Sequence, residues 1–74
     1  MQGYILVYTT SSAFESEEIL KKLENVKIKL VPTPREFSSD CGIAVWFECE
    51  DLEPLNKALN QNKIEYEIKI KPDE

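Results

Sequence analysis

The order of two hydrophobic periods limits what this chain can fold into more than any other feature. Stretches with the period of two of a β-strand alternate with stretches near the 3.6 period of an α-helix. Residues 4–9, Tyr-Ile-Leu-Val-Tyr-Thr, are continuously β-branched or aromatic, which predicts a central strand buried on both faces. Ser12 and Glu15 form a capping box that opens a helix running to about residue 23. Phe14, Ile19, Leu20 and Leu23 form its apolar stripe, with Glu15, Glu17 and Glu18 near its positive end and Lys21 and Lys22 near the other. Residues 26–31 alternate, Val26, Ile28 and Leu30 against Lys27 and Lys29, as an edge strand with one wet face does.

A third strand spans residues 42–48, with Ile43, Val45 and Phe47 on one face and Ala44 and Trp46 on the other. Asp51 caps a second helix that tolerates Pro54 in its first turn and ends near residues 60–62. Leu52, Leu55, Ala58 and Leu59 supply its core face. Residues 64–70 alternate again, with Ile64, Tyr66, Ile68 and Ile70 inward. A polar tail begins at about residue 71. The order βαββαβ predicts a ferredoxin-like α+β fold. Its four-stranded antiparallel sheet has strand order 4-1-3-2, with both helices on one face, and right-handed crossovers select it over its mirror image. Seventy-four residues allow one such domain, 1–74.

About ten residues join the second and third strands, where a hairpin takes two to five. Long ordered loops in small domains are often functional. Pro32 and Pro34 stiffen the first part, and the loop ends on Cys41 followed by Gly42. Glycine lets a ligand or another backbone approach the thiol. Arg35, the chain's one arginine, is close in sequence and favours a thiolate. In the expected topology the start of strand three lies beside the end of strand one. That brings Cys41 toward Thr10, Ser11, Ser12 and the positive N-terminus of the first helix, and toward Lys63. Asp40 opposes the thiolate. Ser38, Ser39 and Thr33 are candidates to bond an anion, or to satisfy loop backbone. Cys49, at the far end of the same strand between Glu48 and Glu50, reads as structural, and is too far along the strand to bridge to Cys41.

The segments Pro32-Thr-Pro-Arg-Glu36 and Ser38-Ser-Asp-Cys-Gly-Ile-Ala44 resemble the signature of small selenium/sulfur carrier-like proteins, and the resemblance runs from residue 4 to about residue 70. It implies a carrier that accepts a persulfide or selenosulfide on Cys41. The donor would be a protein such as a cysteine desulfurase, and the cargo would pass to an acceptor protein. Such chemistry needs an accessible thiolate, donors for the terminal anion and no nearby resolving cysteine.

Charge and composition narrow the alternatives. A net charge of −5 opposes nucleic acid and anionic membranes. No signal peptide follows Met1 and no apolar run approaches a membrane span, so the expected location is cytoplasmic, with both cysteines as free thiols. The chain contains no His, which excludes a zinc site built on its two cysteines alone. No paired acid/base constellation, phosphate loop or cofactor motif is visible, so a carrier or binding protein is favoured over an enzyme. Tyr4, Leu6, Tyr8, Ala44 and Trp46 should project from the helix-free face, where a homodimer or protein partner would cover them, unless the long loop or the tail does so. The alternative function is accordingly an interaction module using Tyr4, Leu6, Tyr8 and Trp46 without thiol chemistry.

Overall fold

The computed structural model describes residues 1–37 and 42–71. Its elements are β1 (Gln2–Val7), α1 (Thr10–Lys21), β2 (Lys27–Pro32), β3 (Ile43–Glu48), α2 (Glu53–Gln61) and β4 (Tyr66–Lys71). The strands pair antiparallel in the order β2-β3-β1-β4, which is the expected 4-1-3-2 read from the other edge. β1 pairs with β3 and β4, never with β2, because each strand–helix–strand unit crosses over a neighbouring strand position.

Register sorts the side chains into two layers. On the helix side one row crosses the whole sheet as Leu30–Val45–Ile5–Ile68, and the next as Ile28–Phe47–Gly3–Ile70. Ile5, Val45 and Phe47 have no exposed surface, and they pack with Ala13 and Leu20 of α1 and Leu55 and Leu59 of α2. Burying each large apolar side chain contributes about 1.5–3 kcal/mol. Gly3 is required by this packing: a Cβ there would lie 2.9 Å from the Phe47 ring and 3.1 Å from the Ile70 Cα, and against the Lys69 carbonyl.

Several local expectations are corrected. β1 covers Gln2–Val7, not residues 4–9, because Thr9 leaves the strand to cap α1. The N-cap is Thr9, whose Oγ1 accepts the Ser12 N–H at 3.0 Å. The Ser12–Glu15 capping box does not form, and α1 ends at Lys21 rather than near residue 23. Starting the helix earlier moves Glu15, Glu17 and Glu18 out of its first turn, which contains no acid. The buried stripe is Ala13, Ser16 and Leu20, and Phe14 is 51% exposed, one residue off that stripe. The Ser16 hydroxyl is satisfied by the Ser12 carbonyl at 2.7 Å. α2 takes Leu52 as its N-cap residue, yet the Asp51 carboxylate still accepts the Glu53 N–H at 3.0 Å. β4 starts at Tyr66, and Ile70, at the end of this edge strand, is 46% exposed rather than buried.

Residues 62–65 explain the late start of β4. The Lys63 N–H bonds the Asn60 carbonyl at 3.1 Å, and the Ile64 N–H bonds the Leu59 carbonyl at 3.1 Å. This is a Schellman motif, with Ile64 buried in the core cluster near Leu59. Lys63 holds the left-handed position at φ 57°, where glycine is usual.

Candidate functional site

β2 and β3 stay paired to Pro32 and Ile43, and one residue further the Thr33 N–H donates to the Gly42 carbonyl at 3.0 Å. The chain therefore leaves the sheet at Thr33 and rejoins it at Gly42, two residues pinned to each other. Within the loop, the Phe37 N–H bonds the Pro34 carbonyl at 3.0 Å and closes a turn. That turn carries Phe37 onto the helix-free face, where its ring meets Tyr4 with centroids 5.5 Å apart and planes tilted by 54°. Arg35 is exposed and makes no ion pair among the described residues. Cys41, Ser38 and Ser39 lie outside the described residues.

Gly42, which follows Cys41 in sequence, is exposed. A Cβ built on it meets nothing within 4 Å, and its φ is not positive. Neither packing nor backbone conformation demands glycine here, and no described atom obstructs approach to it.

The loop base opens at the end of the sheet where β1 passes into α1. The register Leu6–Ala44 fixes that relation, and β4 begins at the same end, opposite Val7. The first turn of α1 holds no acidic side chain, so the positive end of this 12-residue helix is not neutralised within its own first turn. Thr9 is committed to the cap, and its hydroxyl also donates to the Ser12 hydroxyl at 2.9 Å. Ser11 is exposed. Thr10 and Thr33 each make a further contact of their own. Thus the structure brings Gly42, the loop base, Thr10, Ser11 and Ser12 to one end of the sheet.

The second cysteine is at the opposite end. Cys49 is buried, with 5% exposure, and its N–H bonds the Met1 carbonyl at 2.9 Å. Burial pushes its thiol above the ordinary value; a backbone hydrogen bond from Asp51 and the N-terminal charge only partly offset this. That environment disfavours a nucleophilic thiolate. Among the described residues no group of His, Cys, Asp or Glu could hold a metal ion.

The aromatic face is partly closed. Leu6 and Ala44 are buried at 5% and 0%, Tyr4 and Trp46 are half-buried, and Tyr8 is 54% exposed. The Phe37–Tyr4 contact is not foreseen from sequence beyond the general alternative that the long loop covers this face; the one signal is an aromatic residue inside an otherwise polar loop.

This geometry defines a small ferredoxin-like α+β protein whose candidate chemistry rests on one pinned loop. The chain belongs to the family described as "Putative Se/S carrier protein-like", whose sequence model matches residues 2–70. No curated protein and no solved structure matches it significantly. No helix among the described residues is long and apolar enough to cross a membrane.

Proposed function

We propose that this protein is a carrier that takes terminal sulfur or selenium on Cys41 and passes it to a partner protein. The observation that carries the reading is family membership over residues 2–70, joined to a loop pinned by Thr33 and Gly42 beside a helix N-terminus free of acid. In the step envisaged, the Cys41 thiolate attacks the terminal sulfur of a donor persulfide. A Cys41–sulfur bond forms, the donor's S–S bond breaks, and the donor leaves as a thiolate. No net oxidation occurs, so no further oxidant is needed. Selenium transfer follows the same balance with a selenosulfide. The exposed Gly42 leaves room for the partner's thiol, and Arg35 and the helix end would favour the anionic form. Ser38, Ser39, Thr10, Ser11 and Ser12 are proposed to line the anion's surroundings. The two bodies that meet are then a donor, such as a cysteine desulfurase, and an acceptor, with the carrier working in the cytoplasm as a single domain.

The reading requires a reactive Cys41. Iodoacetamide labelling against pH, read by peptide mass for each cysteine, should show Cys41 reacting before Cys49 and below the pH of an ordinary thiol. Arg35→Ala should move the Cys41 midpoint upward and leave Cys49 unchanged. Labelling of Cys41 only after unfolding would remove the carrier's chemical group.

A further inference from the structure

An overall charge of −5 counts against a nucleic-acid partner only where the charge is evenly spread, and here it is segregated. Of nine cationic residues, Lys27, Lys29, Lys69 and Lys71 all alternate onto the helix-free face. Glu15, Glu17 and Glu18 lie on α1, and Glu50, Asp51 and Glu53 lie around the start of α2. Among the described strand residues two carboxylates share the helix-free face, and each already faces a lysine: Glu48 with Lys27 at 3.6 Å, and Glu67 with Lys69 at 2.8 Å. Lys29 and Lys71 are exposed and make no ion pair among the described residues.

The middle row of this face reads Lys29–Trp46–Tyr4–Lys69 across the four strands. Its two aromatic rings stand on the two central strands in direct register, with a lysine on each edge strand. At about 4.8 Å between strands the row spans about 14 Å, room for two successive nucleotides. Phe37, set against Tyr4, adds a third ring at the border of the row. A partner recognised by carboxylates alone would use the lysines and gain nothing from the paired rings. Bases stacked on aromatics with phosphates near lysines use both.

We propose that this row is a stacking platform for a short single-stranded nucleic acid, with Trp46 as the principal ring and Lys29 and Lys69 neutralising the flanking phosphates; the exposed pair of Lys69 with Glu67 costs little to exchange for a phosphate. The proposal goes beyond the carrier reading and does not depend on Cys41. Two copies of this face would set lysine against lysine, so it does not favour a face-to-face homodimer.

The test is fluorescence anisotropy with the full chain and a labelled mixed-sequence RNA of about eight nucleotides, within the range of known stacking sites. The DNA of the same sequence, the RNA duplex and polyglutamate serve as competitors. Wild type should bind, with log affinity falling against log salt at a slope of about −1.4, as two neutralised phosphates require. Lys29→Glu with Lys69→Glu should abolish binding, while Lys57→Glu on α2 should leave it unchanged. Trp46→Ala should weaken binding about fivefold or more, and Trp46→Leu replaces it if the alanine variant loses its circular-dichroism spectrum. Competition by the single-stranded DNA but not the duplex supports the platform. The proposal is overturned if wild type fails to bind at low salt, if folded Trp46 variants bind as wild type does, or if polyglutamate competes as well as unlabelled RNA. That last result would assign the face to an acidic protein.

Discussion

At residue scale, the two positions that define this protein's backbone are Gly3 and Lys63. Gly3 is legible only in the structure, because its need arises from Phe47 and β4, partners distant in sequence. Lys63 is the opposite case, a non-glycine residue where glycine is usual. Lys63→Gly should raise stability by about 1 kcal/mol, since it removes the left-handed strain and keeps both Schellman bonds. Urea unfolding measures this, and an unchanged or lower midpoint would show that the lysine side chain contributes more than its backbone costs.

Cys49 gives a pH prediction at the same scale. Burial raises its folded pKa, so the unfolded thiol loses its proton first as pH rises. The stability contributed by the protonated thiol is complete below the unfolded thiol value, about pH 8.5, and is lost as pH rises through the folded value. In a Cys41→Ser background, the parent should therefore lose stability between about pH 8 and pH 10 faster than its Cys49→Ala derivative. Parallel slopes for the two under reducing conditions would contradict the burial effect.

At element scale, the sequence showed which elements form and in what order, because apolar period is set by backbone geometry. Their ends were less legible. The capping-box pattern pointed to Ser12, while Thr9, with Ser12 rather than an acid three residues on, made the actual cap. Phe14 lies outward for a separate reason: the 3.6-residue period turns it away from the face of Ala13, Ser16 and Leu20 wherever the helix starts. Thr9→Ala should cost about 1 kcal/mol and leave β-sheet signals intact, as thermal unfolding with far-UV circular dichroism would show. If stability is unchanged, the Ser12 pattern caps the helix when Thr9 is absent. The loop was legible as a long insertion with Cys41 at its end; its turn at Pro34 and the Phe37 contact were not, since they depend on a sheet face assembled from β1 and β3.

At the scale of the whole molecule, topology does most of the functional work. Pairing β1 with both β3 and β4 brings three connections to one end of the sheet: the β1–α1 turn, the β2–β3 loop base and the α2–β4 turn. The same pairing divides the charge between two faces, which net charge could not reveal. The fold was readable because six short periodic segments have few permitted arrangements. The candidate site was readable only as a loop and a motif, because the end of the sheet at which the loop base lies is assembled from several elements. The central claim is that Cys41 carries the chalcogen. Intact mass after incubation with a cysteine desulfurase and cysteine, or with a selenium donor, tests it most directly. Wild type should gain one sulfur or selenium atom, removed by reductant, transferable to a thiol acceptor, and absent from Cys41→Ser but present on Cys49→Ala. An unmodified mass with both donor types, or equal loading of Cys41→Ser, would contradict it.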